Sequence, residues 1–315
     1  MQDSDNRNIL LNVKGLTQSF GSGKNLVKVL HDISFQIKEG EVYGLVGESG
    51  SGKSTIGKCI IGLNEASGGS ISFDGKELIG DKKDIGIKKS REAIQMIFQD
   101  PMSSLNPRRK IGDIVGAGLD IQKAYSSKNE RDKKVGDMLE KVGLPREFAD
   151  RYPSQFSGGQ RQRVGIARAL IMNPKLVIAD ECIAALDASI QAQVVNMLKS
   201  IQAETKTAFL FISHDLSMVR YLSERIGVLH MGYLLETGTT DEIFKNPIHP
   251  YTRNLLAAIP GINPVLQKKA AVRYDYDTFG VQYENGIWHD VPGERTHRVL
   301  CTDLEAKKWG IKNDI

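Results

Sequence analysis

The stretch GESGSGKS at residues 47–54 constrains this chain more than any other part of it. Its glycines let the backbone turn successive N–H groups inward around an anion. The lysine stands where an ammonium reaches terminal phosphates, and the hydroxyl after it is placed to ligate Mg²⁺. Before it, EVYGLV at 41–46 reads as a buried strand, and after it a helical pattern runs over about 53–62. A loop between a strand and a helix start aims the helix's free amides and dipole at the same anion. The expectation is a nucleotide held by Gly47, Glu48, Ser49, Gly50, Ser51, Gly52, Lys53, Ser54 and Thr55. The letters GSGK also occur at 21–24, but Gln18 stands where the leading glycine belongs and Asn25 where the hydroxyl belongs. That copy is read as a flexible loop after a turn-rich stretch, not as a second site.

Strand and helix signals alternate along the chain. GSISFDGKEL at 69–78 points Ile71 and Phe73 inward and turns on Asp74-Gly75. Val135, Met138, Leu139 and Val142 share a helical face closed by Gly143. The apolar runs at 176–179 and 208–212 suit strands covered on both faces, and Ile190, Val194, Met197 and Ile201 mark an amphipathic helix between them. This alternation predicts an α/β chain built on a largely parallel sheet. Residues 101–153 lack strand signals and read as a helical insertion, and prolines 247, 250, 260 and 264 with an aromatic tail put a boundary near 246.

Bulk properties exclude several classes. A net charge of +4 without a basic stripe argues against a nucleic-acid binder. Cys59, Cys182 and Cys301 are scattered and odd in number, which suits a reducing compartment. No apolar run approaches the roughly 20 residues of a membrane span. Residues 1–10 also lack the basic-then-apolar order of a secretory signal. Any membrane role is therefore expected to come through a partner.

KLVIADE at 175–181 ends an apolar run in two carboxylates, Asp180 placed to hold the Mg²⁺ shell and Glu181 to activate a water. A strand merely reaching solvent would look the same. In FSGGQRQRVGIARAL at 156–170, Ser157 is a natural N-cap, and Gly158 and Gly159 leave first-turn amides uncovered, a second anion site. With this segment the chain resembles the ATP-binding cassette (ABC) proteins. The phosphate loop, a glutamine loop at Gln99, the signature Ser157-Gly158-Gly159-Gln160, Asp180-Glu181, the AALD turn ending at Asp187 and SHD with His214 stand in that family's order over about 11–238.

The resemblance implies a P-loop NTPase cassette with a mostly parallel sheet core, an N-terminal antiparallel β portion and a helical subdomain at about 101–165. The ATP-binding domain would cover 1–245 and a small C-terminal extension 246–315. It also implies ATP and Mg²⁺ as ligands, ATP hydrolysis, and a head-to-tail dimer whose signature residues stabilise the γ-phosphate of ATP on the partner. Phe20 would stack on adenine, and Gln99 would touch Mg²⁺ or the attacking water and sense a membrane subunit. His214 would contact the γ-phosphate and align Glu181, and Asp187 would lie at the dimer interface. One departure stands out: Cys182-Ile183 follow the glutamate where the family usually has proline. The carboxylates are intact, so hydrolysis remains the expectation, with Cys182 read as a structural thiol.

QMIFQDPMSSLNPR at 95–108, ALDASIQAQVVNML at 185–198 and NPIHPYTRNLLAAIP at 246–260 resemble the ATP-binding subunits of oligopeptide and dipeptide importers. The KST ending of the phosphate loop resembles the second of two paired cassettes. This implies a paralogous second ABC ATPase subunit, two transmembrane permease subunits, an extracytoplasmic solute-binding protein and no nucleic acid. The chain would sit at the cytoplasmic face of the cell membrane, its helical insertion and Gln99 forming a groove for a short permease helix. A related importer of nickel or another small solute, a subunit with weak hydrolysis, and a soluble nucleic-acid-associated ABC ATPase remain as alternatives. Some relatives bind an iron–sulfur cluster through C-terminal cysteines. An all-thiolate cluster needs more than Cys301, the one cysteine of this tail, so none is expected. Tyr274, Tyr276, Tyr283, Trp288 and Trp309 predict a tail packed on a cassette, and His289 and His297 are read as surface or packing residues.

Overall fold

A computed structural model describes residues 7–80, 92–100, 105–259, 274, 276 and 281–311. The chain begins with β1 (Ile9–Phe20), β2 (Val27–Lys38), β3 (Val42–Val46), α1 (Lys53–Ile60), β4 (Gly68–Phe73), β5 (Lys76–Ile79) and β6 (Ile94–Ile97). A helical stretch follows, with α2 (Ile111–Val115), α3 (Ala117–Gln122), α4 (Lys128–Lys141) and α5 (Gly158–Leu170). Next come β7 (Leu176–Asp180), α6 (Ala188–Thr205), β8 (Ala208–Ser213), α7 (Leu216–Leu222), β9 (Arg225–His230) and β10 (Tyr233–Thr239). The remainder holds α8 (Thr240–Lys245), α9 (Pro250–Ala257), β11 (Ile287–Asp290), β12 (Arg298–Cys301) and α10 (Asp303–Lys308).

Side chains alternate across a strand, so each buried strand feeds two cores. Val42, Val46, Val177, Ala179, Phe209 and Phe211 enter one core with residues of α2, α4, α5 and α6. Tyr43, Leu45, Leu176, Ile178, Leu210 and Ile212 enter the other, with α1 and the strands β1, β2 and β4. Coverage on both faces is why these strands are continuous apolar runs. The larger sheet has eight strands in the order β11-β12-β10-β9-β3-β8-β7-β6. From β6 to β9 the neighbours are parallel, and from β9 to β11 they are antiparallel. A separate four-stranded sheet, β2-β1-β4-β5, is antiparallel. The chain therefore has the expected parallel core and N-terminal antiparallel portion.

Local chemistry sets the boundaries. Asp74 and Gly75, at φ 51° and 71°, join β4 to β5 with Phe73 opposite Lys76. That is the two-residue hairpin an Asp-Gly pair favours. Helix α4 begins where the Ser127 hydroxyl accepts from the Glu130 N–H, and it closes just before Gly143 at φ 74°. The early GSGK copy differs from expectation. It follows β1, a strand paired on both sides, not a turn-rich stretch, and it holds a short 3₁₀ turn at Gly23–Asn25 leading into β2. No helix starts there, so nothing aims a dipole at an anion.

The tail adds to the main sheet. β12 pairs with β10 through Glu236↔Val299 and Thr237↔Arg298, and β11 pairs with β12. Tyr274 and Tyr283 are buried, Tyr276 and Trp309 pack on the helix-side core, and Trp288 packs on the other. His297 is buried, its Nε2 lying 2.7 Å from Oε1 of the equally buried Glu236. Residues 101–104 of the expected insertion, and Pro260 and Pro264, lie outside the described residues. Among the described residues no helix is long and apolar enough to cross a membrane.

Candidate nucleotide site

β3 delivers the chain to residues 47–52 and α1 carries it away, so the loop closes over the helix's free amides. Gly47, Gly50 and Gly52 take φ values of 155°, 83° and 104°. At Gly47 there is also no room for a side chain, since a Cβ would lie 2.0 Å from the Leu229 carbonyl oxygen. Lys53 folds back inside the loop, its ammonium donating to the carbonyls of Gly47 at 2.8 Å and Glu48 at 2.7 Å. Burial pushes the pKa of that ammonium below its ordinary value, and the carboxylates of Glu181 and Asp180 oppose the shift.

β7 brings the acids to the same place. The Ser54 hydroxyl donates to Asp180 Oδ1 at 2.7 Å. Burial raises the Asp180 pKa, while the Ser54 hydrogen bond works against that rise. Glu181 takes φ 43° just past the strand, and its N–H donates to the Ile212 carbonyl of β8. Gln99 donates to Glu181 Oε2 at 2.9 Å. Lys53 Nζ and His214 Nδ1 lie 3.7 Å and 3.6 Å from Glu181 Oε1. A cavity of about 160 Å³ is lined by Val29, Ser49, Gly50, Gly52, Lys53, Ser54, Thr55, Gln99 and Glu181.

Gly47, Glu48 and Ser51 belong to the loop but do not line that cavity. Phe20 stands exposed at the end of β1, also outside the lining, and is not a core aromatic. Ser157, Gly158, Gly159, Gln160 and Asp187 are elsewhere. They border a second concavity of about 810 Å³, which shares no lining residue with the first. Ser157 caps α5, accepting from the Gln160 N–H, while the Gln160 side chain accepts from the Ser157 N–H. Cys182 is buried and its thiol is pushed up to about 12 by that burial, so it stays protonated.

Three contributors to the loop escaped the sequence reading. Val29 lines the cavity from β2, the Gly232 N–H donates to the Ser51 carbonyl at 3.0 Å, and the Tyr251 hydroxyl accepts from the Glu48 N–H at 3.0 Å. Gly232, at φ 78° in the turn between β9 and β10, has a positional signal of its own. Tyr251 has only its place in the segment 246–260 that resembled the importer subunits.

Comparison with known proteins matches residues 30–184 to the ABC transporter family. Residues 235–275 match the oligopeptide/dipeptide transporter C-terminal region. The oligopeptide transport ATP-binding protein OppF of Streptococcus mutans is 50% identical over 98% of this chain and 100% of its own length. Its namesake from Bacillus subtilis is 49% identical over 95% and 98%. The dipeptide transport ATP-binding protein DppF of Lactococcus lactis is 47% identical over 95% and 96%. Among solved structures, the dimeric post-hydrolysis state of the ATP-binding cassette MJ0796 with ADP and Pi superposes with a TM-score of 0.67. It is 31% identical and covers 73% of this chain and 99% of that one. Fold, loop geometry and near full-length identity agree: the chain belongs to the ABC transporter ATPases, in the branch that carries the oligopeptide/dipeptide transporter C-terminal region.

Proposed function

We propose that this chain is the ATP-hydrolysing subunit of an importer of oligopeptides or dipeptides, turning ATP binding and hydrolysis into a change of access in membrane-spanning partners. The observation that carries the reading is the surroundings of Glu181, a carboxylate between Lys53, Gln99 and His214 at the edge of the phosphate cavity. In this role Glu181 orients and deprotonates the attacking water, His214 contacts the γ-phosphate and aligns Glu181, and the 47–54 loop with Lys53 and Thr55 holds the phosphates. Phe20 stacks on adenine from the end of β1.

Mg²⁺ fits the donors present. The Ser54 hydroxyl and Asp180 carboxylate are hard oxygen ligands in direct contact, and Gln99 offers an amide oxygen. Among the described residues no cluster of acids, histidines or cysteines could hold a metal by itself. That suits an ion that keeps waters and phosphate oxygens in its shell. When bound, the ion would neutralise charge on the transferring phosphate.

We assign the ATP-binding domain to 1–245, with its helical subdomain at about 101–165, and the extension to 246–315. Ser157, Gly158, Gly159, Gln160 and Asp187 face the ATP of a second, paralogous ATPase subunit. Two permeases and an extracytoplasmic solute-binding protein complete the assembly, with this chain peripheral on the cytoplasmic face of the membrane. Isolation from native membranes tests this. Co-purifying permeases, and ATPase activity stimulated by peptide with binding protein, support it. Co-purifying nucleic acid, or activity indifferent to peptide, would sink it.

A further inference from the structure

The C-terminal extension reaches the phosphate loop at the N–H of one peptide unit. Tyr251, in the first turn of α9, accepts from the Glu48 N–H at 3.0 Å. That N–H shares a peptide unit with the Gly47 carbonyl, on which the Lys53 ammonium rests at 2.8 Å. Lysine thus holds the oxygen of the unit and tyrosine holds the nitrogen.

The hydroxyl is placed by the extension together with β9 and β10, and not by the loop. Tyr251 is 1% exposed. Its ring centroid lies 4.1 Å from that of His230 and 5.5 Å from that of Tyr274. His230 is fixed in turn by the Tyr283 hydroxyl, 2.8 Å from its Nδ1, and that hydroxyl lies 2.8 Å from the one on Tyr274. The Tyr251 N–H donates to His249 Nδ1, and the N–H groups of Ile248 and His249 donate to buried Glu236 on β10. An acceptor held this rigidly can orient a flexible glycine loop.

We propose that Tyr251 is a positioning residue for nucleotide binding, through which the C-terminal extension holds the Gly47–Glu48 peptide in its phosphate-accepting orientation. In the empty loop Lys53 shares this task from the carbonyl side. A triphosphate draws the ammonium to its own oxygens, and the peptide unit then depends on Tyr251. Only a contact that matters more in the loaded than in the empty state changes affinity, and this contact does. The proposal rests on residues 47–54 being the ATP phosphate loop.

Tyr251→Phe keeps the ring and removes the acceptor. Tyr283→Phe is the control, since it removes a hydroxyl from the same aromatic cluster without touching the loop. Binding of a fluorescent ATP analogue is measured on the full-length chain, and KM and kcat on the assembled transporter. Tyr251→Phe is expected to weaken ATP binding about fivefold, raise KM in proportion and leave kcat within about twofold. Tyr283→Phe loosens His230 but leaves the Tyr251 acceptor in place, so it is expected to weaken ATP binding less than about twofold. Unchanged affinity in Tyr251→Phe, or an equal loss in Tyr283→Phe, overturns the proposal. If the wild-type chain binds no ATP, the reading of the loop itself fails, and that result is distinct from either.

Discussion

Glu181 sits at φ 43°, a left-handed conformation that costs a non-glycine residue roughly 1–3 kcal/mol unless its surroundings fix it. Here they do, through its own N–H on Ile212 and the Gln99 amide on its carboxylate. Glu181→Gln keeps the shape and removes the base, so ATP binding should persist while turnover falls ~100-fold, about 3 kcal/mol in the barrier. Phosphate release set against nucleotide binding checks this, and wild-type-like turnover would place the base elsewhere. Gly47→Ala fails for a different reason, because its methyl would meet the Leu229 carbonyl oxygen. It should cost about 1–3 kcal/mol in thermal unfolding and weaken nucleotide binding. The phosphate loop was legible in the sequence because its glycines, lysine and hydroxyl stand at fixed spacings within eight residues, whereas its distant supports at Leu229, Gly232 and Tyr251 were not. The approach of His214 to Glu181 came only through the family resemblance, since it depends on β7 lying beside β8 with Asp180 opposite Ile212.

Among elements, α8 ties the tail to the sheet. Glu242 accepts from the N–H groups of Thr239, Arg295 and Thr296 and from the Thr296 hydroxyl. Burial alone would raise its pKa, but these hydrogen bonds outweigh it and hold the carboxyl down at about 2, against an ordinary 4.5. A depressed carboxylate stabilises the fold fully above the unfolded value. Its contribution fades as pH falls from about 4.5 toward about 2. Glu242→Gln should therefore lower stability at neutral pH by about 1–3 kcal/mol and flatten the acid limb across that window. Urea titrations at a series of pH values measure both. Helix α4 could be read from the sequence because its period, its Ser127 cap and Gly143 are all local. The pairing of β12 with β10 could not, because two short strands far apart in sequence carry almost no periodic signal.

At the scale of the whole molecule, one chain carries two separate concavities, the phosphate cavity and the one bordered by Ser157–Gln160 and Asp187. Under the proposed function, the second lies opposite another subunit's nucleotide. Gly158 tests this cleanly, since a side chain there meets nothing within 4 Å in its own chain. Gly158→Asp should fold normally and bind nucleotide as isolated protein, yet lose ATPase activity by ~100-fold or more in the assembly, where its carboxylate faces phosphate. Retained activity would show that this concavity faces no triphosphate. Residue types alone suggest a second anion site at Ser157–Gly159, and only the family resemblance supplies an owner for that anion.

The antiparallel strands that finish the main sheet, β12 and β11, lie about fifty residues or more beyond β10 in the chain. During synthesis the glycine loop leaves the ribosome well before β12, the neighbour that covers β10. Until then the nascent chain carries a bare sheet edge, the kind of surface that recruits other strands. Termination between β10 and β12 would thus yield sticky fragments, and chaperone demand should persist until β12 has emerged.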